Sequence, residues 1–299
     1  MDNNNPIINE LNWIFNNPNL LADDNEYVFP QEQQIRQLQK IQTHFENKTF
    51  AEISIPKTKR LGDYFEQLVL LYLTSLDEYK NISHRKTVFF NKQTKGEFDF
   101  LVINKESNQS THLEVAVKFY LQHQTDENIQ FLGPNSSDSL KKKLDKMLNH
   151  QINLSDQEYA KKYLENYRLP LQKLILLKGL LYYPANSNWR VNTQFPQIIS
   201  PDHARGWWIK ADKINTIPRD NEQTRWIVLI KPYWLSIHNC LLNNPQKLLN
   251  YKDLQSLVKH HFANKTSPLH LAELMQDSNR KISEISRGFV VHNNWPNKH

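Results

Sequence analysis

The feature that most limits what this chain can become is a pair of alternating segments separated by a polar stretch. Residues 96–103 read GEFDFLVI and residues 112–121 read HLEVAVKFYL. Side chains of a strand point to opposite faces in turn. One face therefore carries Phe98, Phe100, Val102, Val115, Val117 and Phe119, and the other carries Glu97, Asp99, Leu101, Glu114, Ala116 and Lys118. The intervening residues 104–111 are polar and turn-forming, which predicts a hairpin. If its centre lies near Glu106 and Ser107, Asp99 falls directly across from Glu114, with Cβ atoms roughly 5 Å apart.

The surrounding sequence fills out an α/β plan. Residues 10–15 and 31–45 predict helices, the second with Ile35, Leu38, Ile41 and Phe45 at helical spacing. Residues 51–61 look irregular. Residues 63–76 carry Tyr64, Phe65, Leu68, Leu71, Tyr72 and Leu76, the broad apolar face of a buried helix. A short strand at 86–90 precedes the hairpin, and Gly133-Pro134-Asn135 marks a turn after it. A helix over 136–150 places Leu140, Leu144, Met147 and Leu148 on one side and Lys141, Lys142, Lys143 and Lys146 elsewhere; a second helix is expected over 156–167. Residues 173–183 are almost continuously apolar, as in a central strand reached by a parallel, right-handed crossover.

Beyond this, strands are expected around 206–208 and 226–230, helices at 253–261 and 268–275, and a last strand at 288–292. The plan is a helical segment over 1–60, a mixed-sheet α/β core over 61–184, and an aromatic β/α extension of the same domain over 185–299. Neither an internal repeat nor a linker forces independent domains.

Composition narrows the function classes. Thirty-three aromatic residues (7 Trp, 12 Tyr, 14 Phe) in 299 supply a core that a disordered chain lacks. The single cysteine, Cys240, excludes an internal disulfide framework and a cysteine-rich zinc site. No apolar run approaches the roughly 18 residues a membrane span needs. The opening residues show no secretory pattern, so a cytoplasmic protein is expected. A net charge of +6 permits phosphate binding without requiring it.

Two like charges opposed on a sheet are destabilising unless something neutralises them. A divalent cation does so, and hard carboxylate oxygens suit Mg²⁺ or Mn²⁺. Lys118, on the face of Glu114, would then orient a water. The competing reading is an amphipathic hairpin whose Asp99, Glu114 and Lys118 form ordinary salt bridges on a wet face. Other residues carry the same double reading. Glu66 is an outer metal contact or a solvated helix residue. Lys142, Lys143 and Lys146 track a phosphate backbone or form a solvated face. Asn135 meets substrate or simply turns the chain. His150 and Gln151 line a cleft or pack structurally. Trp207 and Trp208 stack bases or fill the core.

The GEFDF and LEVAVK segments, preceded by the Glu66 helix, resemble the PD-(D/E)XK nuclease-like superfamily. More narrowly, LGDYFE, GEFDFLV, HLEVAVKFYL, LGPNSSDSLKKKL, His150-Gln151, ARGWW and ISRGFVVHNNWP resemble a bacterial group, the domain-of-unknown-function 1853 family. The superfamily implies a restriction-endonuclease-like core in the order α-β-β-β-α-β. It implies Asp99 and Glu114 as metal ligands aided by the carbonyl of Val115, Lys118 positioning the attacking water, and Glu66 assisting. The reaction implied is Mg²⁺- or Mn²⁺-dependent phosphodiester hydrolysis of nucleic acid, DNA ahead of RNA. The superfamily's usual lysine position is Ala116 here. That departure keeps open a silent module that binds nucleic acid or a partner protein, and a structural or regulatory protein with no nucleic-acid role.

Overall fold

The computed structural model describes residues 6–46, 55, 58–126, 128–217, 223–243, 248–276 and 282–297. Most of the stretch expected to be irregular, 51–61, lies outside these residues, as do the side chains of Ile41 and Phe45. The chain forms mixed α/β structure in two units. The first comprises residues 1–118, 141–178 and 198–200, and the second residues 119–140, 179–197 and 201–299.

In the first unit, apolar spacing makes the helices. Helix α1 (Pro6–Asn16) buries Ile7, Ile8, Leu11, Ile14 and Phe15. Helix α2 spans Gln31–Glu46. Helix α3 (Leu61–Ser75) buries Leu61, Tyr64, Phe65, Leu68, Val69, Tyr72 and Leu73, the stripe expected of a core-facing helix. Strands β1 (Tyr79–Phe90), β2 (Gln93–Asn104), β3 (Ser110–Gln124) and β5 (Gln172–Pro184) lie side by side in that order. Both β1/β2 and β2/β3 are antiparallel.

Strand β1 begins well before the expected 86–90. Its first half, YKNISHR, has no alternation of its own, and pairing with β2 is what makes it a strand. Register shifts between Lys80 and Ser83 and between Val88 and Phe89 bend it, and Asn81 and Arg85 take positive φ beside the first.

The expected helix over 136–150 is a shorter α4 (Leu140–Lys146) continued by a π turn over Met147–Gln151. The expected helix over 156–167 is replaced by two 3₁₀ turns, Leu154–Asp156 and Glu158–Tyr163. Tertiary contacts explain the change. Leu154, Ala160 and Leu164 pack on Val88, Phe98 and Leu101 of the sheet. The Tyr163 hydroxyl accepts from the Phe89 amide at 2.9 Å, and the Tyr167 hydroxyl donates to the Asn81 carbonyl at 2.9 Å. A regular helix does not present these groups together.

In the second unit the end of β3 pairs antiparallel with β4 (Ile129–Leu132), a strand too short to stand out in the sequence. The end of β5 is followed across the sheet by β6 (Arg205–Lys210), β9 (Ile282–Val291), β8 (Leu269–Gln276) and β7 (Thr224–Val228). Strand β6 is parallel to both neighbours; the β9/β8 and β8/β7 pairs are antiparallel. Residues 268–275 are therefore strand β8, not the expected helix. Leu, Ala, Glu and Met favour helix weakly, and backbone pairing on both edges overrides them. Helix α5 (Ile237–Asn243) went unmarked in the sequence, whereas α6 (Tyr251–Asn264) falls as expected, capped by Asn250 accepting from the Asp253 amide at 2.9 Å. Trp207, Trp226, Leu254, Val258, Leu271 and Val290 form its core.

Two glycines permit close approach here. A Cβ on Gly206 would lie 2.5 Å from the Tyr182 ring and 2.7 Å from the Arg287 carbonyl, and one on Gly288 would lie 2.2 Å from the Trp207 ring. Among the described residues, no helix is long and apolar enough to cross a membrane.

Candidate functional site

The β2/β3 pairs run from Ile103↔Ser110 to Phe100↔Leu113, and the next step in that register sets Asp99 against Glu114. At that point side chains take over from the backbone ladder. The Val115 amide donates to Asp99 Oδ2 at 2.9 Å, and the Asp99 amide points to Glu114 Oε1 at 3.5 Å. Each carboxylate thus accepts from the opposite strand, which fixes where both point.

The face they share is dry on β3. His112 and Glu114 are both wholly buried, Ala116 is buried, and Lys118 is half-buried. The wet-face reading of the hairpin therefore fails for Glu114. Asp99 is half-buried, so the pair is open on the β2 side.

Both oxygens of Glu114 are engaged. His112 Nε2 lies 2.9 Å from Oε1, and Gln151 Nε2 donates to Oε2 at 2.7 Å. Burial pushes the His112 ring down to about 4, so it is neutral and the contact is a hydrogen bond, not an ion pair. His112 Nδ1 lies 3.3 Å from the Ser155 hydroxyl. Gln151 sits at the end of the π turn, which the Ile152 amide closes by donating to the Met147 carbonyl at 3.0 Å. Its other end, Oε1, accepts from Lys143 Nζ at 3.2 Å. The carboxamide thus links an ammonium on α4 to a carboxylate on β3. π turns are rare and concentrate at functional sites.

The electrostatics follow from this geometry. Burial, then repulsion from Glu114, pushes Asp99 up to about 8; the Glu66 charge adds to the rise, while the Val115 amide and Lys143 oppose it. Burial likewise raises Glu114, against the hydrogen bonds it accepts and the charge of Lys143. Burial and the nearby Lys118 and Lys146 lower Lys143, whereas Asp99 and Glu114 act to raise it. The site is a pair of carboxylates that resist sharing a buried space, with the Lys143 ammonium in their field.

The remaining expected site residues are placed as follows. Glu66 Oε2 accepts from Arg85 Nε at 2.6 Å, and the same guanidinium donates to Asp63 Oδ1 at 2.6 Å, so Glu66 reaches the pair only through its field on Asp99. Lys118 stands near Lys143, whose pKa it acts to lower. Lys142, Lys146 and His150 are exposed, so a buried structural role for His150 is excluded. Lys143 parts company with the other lysines of α4, because Met147 and Leu144 turn its side of the helix inward. Asn135 is exposed in the second unit. Trp207 is core, as its packing reading holds, while Trp208 is only half-buried. Sequence reading missed the role of His112, although its place two residues before Glu114 on the same strand face was a usable signal. The Lys143–Gln151 link had none, because it depends on the π turn.

The donor set fits a hard divalent cation. Asp99 and Glu114 supply oxygen, and burial raises the proton affinity of both. Among the described residues, no group of three His, Cys, Asp or Glu side chains is arranged to hold a metal. Mg²⁺ does not need one, since it commonly takes one or two carboxylates and completes its shell with water and phosphate oxygen.

A family profile described as "Domain of unknown function (DUF1853)" matches residues 9–291. Comparison with curated proteins and with solved structures returned no match.

Proposed function

The chain belongs to the DUF1853 family, and from that premise we propose that it is a divalent-metal-dependent phosphodiesterase of nucleic acid, acting on DNA in preference to RNA. The observation that carries this reading is the opposition of Asp99 and Glu114 in one largely buried place, with Lys143 in their field. The order α3-β1-β2-β3-α4-β5, interrupted by the short β4, supports a restriction-endonuclease-like core.

Asp99, Glu114 and the carbonyl of Val115 are the proposed ligands of Mg²⁺ or Mn²⁺, which when bound polarises a phosphate and lowers the pKa of water. The chain's own residues do the rest. The Val115 amide aims Asp99, and His112 and Gln151 clamp Glu114. Lys143 and Lys118 place positive charge where a pentacovalent phosphate gathers negative charge, an effect strongest away from water. Glu66 tunes Asp99 from α3. Lys142, Lys146 and His150 of the first unit, and separately Asn135 of the second, are proposed contacts to the nucleic-acid backbone, where exposed lysine charge supplies affinity without sequence preference.

One observation favours the silent binding module instead. Ala116 occupies the usual lysine position, and both Glu114 oxygens already have partners. Incubation with linear, nicked and single-stranded DNA, and with RNA, in Mg²⁺, Mn²⁺ or EDTA separates the two. Metal-dependent cleavage lost in Asp99→Asn is the expected result. Salt-sensitive binding with no cleavage in any metal would replace the enzyme with the module.

A further inference from the structure

The second unit contains a cleft that the proposed hydrolytic site does not use. Strand β6 alternates, so Trp207 and Ile209 enter the core while Trp208 and Lys210 share the opposite face. Both line a cavity of about 460 Å³, with His123, Asn293, Asn294 and Trp295 among the other walls. The Trp208 and Trp295 ring centroids lie 4.7 Å apart, and His123 meets Trp295 edge-on at 5.7 Å. Trp295 and Asn297 also border a second cavity of about 390 Å³, whose wall includes Asn135. Among the described residues lining either cavity, none is acidic.

The chemistry of these walls is specific. Half-buried Trp208 gives a stacking surface, and Asn293, whose Oδ1 accepts from the Asp212 amide at 3.0 Å, is held so that its carboxamide nitrogen is the donor toward the edge of a base. Lys210 supplies a positive charge with no carboxylate on the walls to cancel it. Burial and Lys210 both lower the His123 pKa, leaving that ring a neutral partner. The Trp208 and Trp295 indole N–H groups are buried and meet no acceptor among the described residues, an arrangement that costs stability until an acceptor arrives. Cavities of this size, aromatic with a few polar groups, suit a small ring system.

We propose that this cleft binds a nucleobase, stacked on Trp208 with its edge on the Asn293 and Asn294 side and its phosphate at Lys210. The proposal stands on residues of the second unit alone and does not depend on the carboxylate pair.

The test is fluorescence anisotropy of a labelled oligothymidylate in EDTA, using the full chain carrying Asp99→Asn so that no cleavage intervenes. Trp208→Leu and Lys210→Gln should each weaken binding about 10-fold or more, with thermal unfolding unchanged in the lysine variant. An abasic oligomer of the same length should bind equally weakly. Competition by thymidine monophosphate at concentrations similar to the oligomer identifies free nucleotide as the ligand, and competition by the oligomer alone identifies a single strand; either upholds the site. Equal binding of abasic and thymidylate oligomers, unchanged affinity in Lys210→Gln, or no binding of nucleotide or oligomer at millimolar concentration would overturn it.

Discussion

Two carboxylates cannot both stay ionised in a buried space without a counter-charge, because each loses hydration and each repels the other. On the proposed reading, Asp99 and Glu114 hold either a proton or a cation between them. The metal-free protein should reveal which. Asp99 is raised from its ordinary 3.8 to about 8 in the folded chain. The folded state then binds more protons than the unfolded state between those values, so stability falls as pH rises through that window. Thermal unfolding in EDTA should show a wild-type melting temperature that declines from about pH 5 to about pH 8 relative to that of Asp99→Asn, since the opposing buried bases His112, His270 and Lys178 are common to both chains. Millimolar Mg²⁺ should restore more of the wild type at the alkaline end. Asp99→Asn keeps an acceptor for the Val115 amide and removes the charge. It should stabilise the metal-free protein by about 1–3 kcal/mol near pH 8 and by much less near pH 5. A variant that destabilises at both pH values would mean the pair is already compensated. Lys143 offers a second test at this scale. Lys143→Met should lower the cleavage rate about 100-fold, whereas Lys118→Met should cost less. The reverse order in single-turnover rates would return the role to β3.

At the scale of elements, the site was legible where local pattern and tertiary structure agree. The alternation of GEFDFLVI and HLEVAVKFYL fixed the hairpin register, and with it the opposition of Asp99 and Glu114. That alternation did not reveal that β3 is buried on both faces, because burial of the Glu114 side depends on His112, the π turn and the 3₁₀ turns that cover it. The first half of β1 and all of β8 were missed for one reason. Their strand character comes from neighbours, and their own residues read as irregular in one case and helical in the other. Gly206 and Gly288 stand where β6 and β9 meet aromatic rings, and the contact at Gly206 includes backbone. Gly206→Ala should destabilise by about 3 kcal/mol, since neither the Arg287 carbonyl nor the buried Tyr182 ring can withdraw cheaply. Gly62→Ala, with nothing within 4 Å of the added Cβ, is the matched control and should be neutral or better on denaturant unfolding.

For the whole molecule, the family match over residues 9–291 covers residues of both units. On the proposed reading, the modest net charge of +6 makes affinity a matter of local placement: Lys142 and Lys146 on α4 in the first unit, Lys210 over its cleft in the second. The account rests on Asp99 and Glu114 taking up a divalent ion. Calorimetric titration of Mn²⁺ near pH 7, repeated in two buffers of different ionisation enthalpy, reads this directly. One Mn²⁺ bound per chain with release of the proton held by the pair is predicted for the wild type, and neither is predicted for Asp99→Asn/Glu114→Gln, folded by its thermal transition. Absence of heat at millimolar Mn²⁺ in the wild type, or the same binding in the double variant, would contradict it.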